Sequence, residues 1–267
     1  MIWFGLVEMS ILVVQLVPQG ILFGADRNVT TEVTQGGRLV VQGQSQRPKV
    51  IKWPNQEAII GYVGAGSIRD MPTDQWLYQS FIGQNLNFTG FKSLAESLKS
   101  ALDKEMVLGK LSDRLIIHLG GFEKVKGEWT PVVWFIRNTA ELKQTGEYAL
   151  GQSFECSEEI SDPRYFGGQS GNEIRKDLEM RVSNWGFFSF RQGFDLGAFN
   201  AFDSVTRFAL RAIVESRRHP FPSSLEEWAK HVKMAVLTYG AYFQAFYEPF
   251  EQYVGGGADV VWAKWPS

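Results

Sequence analysis

Short apolar runs separated by turn residues dominate the first quarter of the chain. Ser10–Val17 and Ile21–Ala25 are rich in Ile, Leu, Val and Phe and flank Pro18-Gln19-Gly20, which predicts a β-hairpin with Asp26 just past its second strand. A polar stretch ends at Gly36-Gly37, and the strand-like Arg38–Gln42 follows. Lys49–Trp53 and Glu57–Val63 are two further predicted strands around Pro54-Asn55, and they lead into Gly64-Ala65-Gly66. The period then changes. Leu94, Ala95, Leu98, Ala101 and Leu102 recur at helical spacing, which predicts a helix over Ser93–Lys104, with a weaker helical pattern over Pro72–Ile82. Strands are predicted again at Arg114–Phe122, Thr130–Arg137 and Tyr148–Cys156. Helices are predicted over Glu173–Val182, over Phe199–Ser216, and from a capping box at Ser224 and Glu227 to Tyr247. Asp259–Ala263 closes as a strand. Strict βαβα alternation is absent, so antiparallel sheets layered with helices fit better than a doubly wound parallel sheet. No repeat or linker interrupts the chain, which reads as one domain.

Composition narrows the classes. The 267 residues are 44% hydrophobic and 21% charged, enough apolar surface for a large core and too much for disorder. With 27 basic against 29 acidic side chains there is no global basic field to hold nucleic acid. Cys156 is the only cysteine, which excludes an intramolecular disulfide and a cysteine-only zinc site and fits a reducing, cytoplasmic compartment. His118, His219 and His231 are scattered, so no metal is expected. Cofactor signatures are absent too: Gly61–Gly66 lacks the dinucleotide spacing, no P-loop is present, and Ser170 in GGQSG is not in a nucleophile elbow. His118 lies in an apolar strand and reads as a hydrogen-bonded core histidine, while His231, near Lys230 and Lys233, reads as part of a solvated face. The apolar first 24 residues have no preceding Lys or Arg and are interrupted by Glu8, Gln15, Pro18 and Gln19, which argues against a signal peptide or membrane anchor.

The stretches SILVVQLVPQGILFGADRN and PKVIKWPNQEAIIGYVGAG resemble the N-terminal half of a proteasome β-type subunit, of the N-terminal nucleophile (Ntn) hydrolase superfamily. The elements of the resemblance are Gly20 in the hairpin, Ala25-Asp26 ending the second strand, Lys49-Val50-Ile51 opening the next, and Gly61-Tyr62-Val63-Gly64. It covers about a quarter of the chain. It implies an α+β fold, a four-layer αββα sandwich of two antiparallel sheets with helices outside both. It also implies site residues: Ser10 as nucleophile, 16 positions before Asp26; Asp26 as the buried aspartate; Lys49 as the active-site lysine; and Gly64 as oxyanion-hole donor. Asp26 and Lys49 are 23 positions apart, seven more than is usual for the family, so Thr30–Ser45 has to form a longer loop or hairpin.

One of each required group is therefore present. A hydroxyl is a weak nucleophile until a base takes its proton. In an Ntn site that base is the nucleophile's own α-amine, with a lysine beside it, an aspartate holding the lysine, and a backbone N–H for the oxyanion. The expected function is peptide- or amide-bond hydrolysis. The alternative is a catalytically inactive proteasome-like subunit serving as an assembly or binding element. Residues 1–9 are then a propeptide, or a misassigned start if translation begins at Met9, and 10–267 the single domain. The family's C-terminal Asp-x-x-Ser-Gly-Gly is replaced by Glu251-Gln252-Tyr253-Val254-Gly255-Gly256, and Ser170 is a candidate for an accessory hydroxyl. The resemblance also implies a homo-oligomeric ring or spiral acting on peptide or protein, with any ATPase partner unspecified. Trp262, Trp265 and the aromatic run Tyr239–Phe250 are more than one domain needs, and point to a covering second subunit.

Overall fold

Strands β1 (Ile11–Val17) and β2 (Gly20–Asp26) are buried along their whole length, because both faces of their hairpin are covered. Leu12, Val14, Leu16, Ile21 and Phe23 face a second sheet, while Ile11, Val13, Val17 and Leu22 face a helix. This double burial explains why the runs are continuously apolar rather than alternating. The computed structural model describes residues 10–35, 38–53, 57–84, 88–142, 148–184, 187–193, 204, 208–212, 214–216, 222–246 and 256–267.

The remaining strands are β3 (Asn28–Gln35), β4 (Arg38–Gln46), β5 (Val50–Trp53), β6 (Ala58–Gly64), β7 (Ser67–Ile68), β8 (Met71–Pro72), β9 (Leu115–Val125), β10 (Glu128–Leu142), β11 (Tyr148–Glu158), β12 (Phe188–Gly193) and β13 (Ala258–Lys264). The helices are α1 (Thr73–Ser80), α2 (Phe91–Val107), α3 (Gly171–Ser183) and α4 (Leu225–Phe246). One sheet has the order β12-β1-β2-β13 and the other β11-β10-β9-β6-β5, antiparallel throughout. They pack face to face. Gly61 allows the close approach: a Cβ there would lie 2.6 Å from Leu12 Cδ1 and 3.1 Å from Phe23 Cδ1. Helices α1 and α2 cover the five-stranded sheet with Trp76, Leu77, Leu94, Leu98 and Leu102, and α4 covers the four-stranded sheet with Trp228, Val232 and Val236. The expected αββα sandwich is therefore the architecture of the chain. Helix α3 differs from the other helices, since Ile174 and Leu178 plug into the core between the sheets.

Three expectations need correction. His118 is in the core, stacked on Phe135 at 4.0 Å, but neither ring nitrogen has a hydrogen-bond partner among the described residues. His231 is buried on α4 against Phe187 and Trp228, not on a solvated face, because the helix turns Lys230 and Lys233 outward and His231 inward. Trp265 and Tyr239 are buried within the domain, Trp265 with its ring centroid 5.0 Å from that of Phe122, so they do not call for a second subunit. The predicted 199–216 helix is only partly described, and its described parts at 208–212 and 214–215 are helical. Glu251, Val254 and Gly255 lie outside the described residues.

Candidate active site

The hairpin register places the start of β1 beside the end of β2: Leu12 pairs with Ala25, and the Ile11 N–H donates to Asp26 Oδ1 at 2.9 Å. Ser10 immediately precedes β1, and Asp26 is the last residue of β2. Lys49 immediately precedes β5 in the facing sheet and reaches across to both. Its Nζ donates to Ser10 Oγ at 2.8 Å and to Asp26 Oδ1 and Oδ2 at 3.1 and 3.0 Å. Ser10, Asp26 and Lys49 are only 6%, 1% and 2% exposed. A charge so buried persists only when paired and hydrogen-bonded. Asp26 meets that condition, since it also accepts from the Asn28 N–H at 3.2 Å. Three residues separated by up to 39 positions thus converge on one cluster.

Gly64 ends β6 with φ at +100°, a conformation that suits glycine. Two residues earlier, the Tyr62 N–H donates to Lys49 O at 3.0 Å, toward β5. N–H groups two apart in a strand point to the same side, so Gly64 belongs to the edge of β6 that continues past the start of β5. The next N–H, that of Ala65, is used by Arg114 O at 2.7 Å.

Ser170 is not part of this cluster. It is the N-cap of α3: its Oγ accepts from the Glu173 N–H, and the Glu173 carboxylate accepts from the Ser170 N–H at 2.7 Å, a complete capping box. The GGQSG segment therefore starts a helix. Among the described residues no group of His, Cys, Asp and Glu is arranged to hold a metal. No helix there is long and apolar enough to cross a membrane. A groove of about 680 Å³ lies at α1 and α2, lined by Arg69, Trp76, Phe81 and Glu105 among others, and none of the four candidate residues lines it.

Sequence reasoning overlooked Tyr62. Its hydroxyl donates to Pro48 O at 3.3 Å, beside Lys49. Burial, and then the Asp74 carboxylate, push its pKa far above the ordinary phenol value, so it remains a donor. The available signal was a phenol inside an otherwise apolar strand.

No protein-family model matches the chain, and no curated protein matches its sequence. Among solved structures, a (Gly-1) mutant of Anbu from Hyphomicrobium sp. strain MC1 is similar at 14% identity and TM-score 0.45, covering 96% of this chain and 82% of that one. Anbu (ancestral beta-subunit) from Yersinia bercovieri is similar at 11% identity and TM-score 0.44, covering 95% and 80%. The strand order and layers of this chain by themselves define its fold.

Proposed function

We propose that this chain is a proteasome-like Ntn hydrolase that cleaves peptide or amide bonds with Ser10 as nucleophile. The observation that carries this reading is the Lys49 ammonium, which bridges Ser10 Oγ and the Asp26 carboxylate in a buried cluster. A cation 2.8 Å from a hydroxyl favours its alkoxide, and the aspartate keeps that cation charged and fixed. In the proposed reaction the Ser10 α-amine, freed by removal of residues 1–9, takes the Oγ proton. Oγ bonds to the scissile carbonyl carbon, and the developing oxyanion is received at the Gly64 N–H. The C–N bond then breaks, the leaving amine carries off the proton, and water releases the acyl group from Oγ by the same steps. Substrates are peptides or proteins, the compartment is cytoplasmic, and the working form is a homo-oligomer.

Intact mass of protein expressed from the native gene tests the amine. A chain beginning at Ser10 is expected, and a chain retaining residues 1–9 would refute the α-amine as base. A hydroxyl-directed fluorophosphonate tests the nucleophile: it should label Ser10 in the wild type and leave Ser10→Ala unlabelled.

A further inference from the structure

The lysine of this cluster sits at a weak point of the backbone. Lys49 lies in a bend just outside the β5 ladder and follows Pro48, which has no N–H with which to anchor it. Such a bend is held through its carbonyls, and one residue takes both. The Tyr62 N–H donates to Lys49 O at 3.0 Å and the Tyr62 hydroxyl donates to Pro48 O at 3.3 Å. The Asp74 carboxylate, in the first turn of α1, adds to burial in keeping the phenol protonated. Asp74 also pairs through Oδ1 with Arg47 Nε at 3.4 Å, one residue before the proline. β6 and the lysine-bearing bend are thereby joined through Tyr62 at two successive carbonyls.

We propose that Tyr62 is a positioning residue that sets Lys49 against Ser10 and Asp26 through the Pro48 carbonyl. This rests on the hydrolase reading above for its consequence in rate. It goes beyond that reading in naming a residue that touches none of the reacting atoms. The main-chain half of the clamp survives any substitution, so Tyr62→Phe removes only the hydroxyl half. The ring stays in its place among Trp53, Ile60 and Leu77. With Pro48 O left without this partner, the bend relaxes and the root of the Lys49 side chain shifts. Displacements well below 1 Å at a reacting group already cost severalfold in rate, and about 1 Å costs about a hundredfold.

The experiment compares wild type, Tyr62→Phe and Ile60→Val in two measurements. Ile60→Val is a control for lost packing in the same strand and core. The first measurement is phosphonylation of Ser10 by the fluorophosphonate, in which Oγ bonds to phosphorus and fluoride leaves, resolved into the limiting rate and the half-saturating probe concentration. Tyr62→Phe should lower the limiting rate about tenfold with half-saturation unchanged, while Ile60→Val changes neither. The second follows the Lys49 Cε resonance in protein labelled with [6-¹³C]lysine, assigned by Lys49→Arg. It should move in Tyr62→Phe and hold in Ile60→Val. A Tyr62→Phe protein that matches wild type in both measurements overturns the proposal and leaves the hydrolase reading intact. If wild-type Ser10 is never phosphonylated, the hydrolase reading fails by itself. The Lys49 resonance then decides alone: a shift in Tyr62→Phe upholds the positioning of Lys49, and an unmoved one overturns it.

Discussion

His118 makes the fold sensitive to acid in a way that can be worked out in advance. Its ring is fully buried between the sheets, 0% exposed and stacked on Phe135, with no hydrogen-bond partner on either nitrogen among the described residues. Burial alone lowers its pKa from 6.5 to about 3. The unfolded chain therefore takes up this proton first as the pH falls. Stability is full above about pH 7.5 and is lost progressively below the unfolded pKa of about 6.5, until the folded form also binds the proton near pH 3. Within that window the loss approaches about 1.4 kcal/mol per pH unit. From pH 7.5 to 5.0 it comes to about 2 kcal/mol from this one residue. His118→Phe retains a ring against Phe135 and abolishes the titration. Any overpacking it introduces is independent of pH and drops out when each protein is compared with itself. Urea unfolding of both proteins at pH 7.5 and 5.0 measures the effect. Wild type should lose about 2 kcal/mol more than the variant over that interval, since every other titrating group is shared. Equal losses in the two proteins would mean that His118 is hydrated or paired in the folded state, and would refute the reasoning.

Lys49→Ala should destabilise the fold by about 3–5 kcal/mol in chemical denaturation, because it leaves the Asp26 carboxylate buried without its cation, and Asp26→Ala added to it should recover part of that loss. The same substitution should lower the rate of Ser10 phosphonylation by the fluorophosphonate by about a hundredfold or more. Ser170→Ala should cost about 1 kcal/mol in thermal or urea unfolding through loss of the α3 cap, with Ser10 phosphonylation unchanged; a fall in phosphonylation would return Ser170 to the site. Light scattering at micromolar concentration should give a mass several times the 30.2 kDa of one chain, and a stable monomer would remove the assembly proposal.

What could be read from the sequence was whatever one-dimensional pattern forces. Continuous apolar runs around Pro18-Gln19-Gly20 have few alternatives to a buried hairpin, and the 3.6-residue stripe of α2 has few alternatives to a helix. Ser10, Asp26 and Lys49 were legible through the family resemblance, which rests on their places at strand ends that this pattern marks. β3 carried no strand signal of its own, since NVTTEVTQ lacks the apolar run that marked its neighbours; only the long spacing between Asp26 and Lys49 called for a loop or hairpin over Thr30–Ser45, and β3 with β4 is that hairpin. The pairing of β3 with β4 depends on a partner that one segment does not reveal. His231 was misread because proximity in sequence to Lys230 and Lys233 says little on a helix, where about 100° of rotation separates consecutive side chains. Tyr62 was visible as a phenol in an apolar strand, but its role was not. Its role depends on where two carbonyls of a proline bend point, and no residue pattern encodes that.

The β3–β4 hairpin bears on how such a site can be inherited. It is closed at its neck by the Arg47 N–H on Arg27 O at 2.9 Å and by the pairing of Asn28 with Gln46. Beyond that neck its strands pair with each other and join neither main sheet. Residues gained or lost there, a pair at a time, leave the neck and hence the 3.0 Å contact between Asp26 and Lys49 where they are. Doubling such a loop costs only about 0.6 kcal/mol in closure entropy. Distance along the chain between these two residues is therefore free to drift from one lineage to the next, while their distance in space is not. A motif defined by fixed spacing would pass over relatives whose chemistry is intact, whereas one defined by what closes the neck would find them.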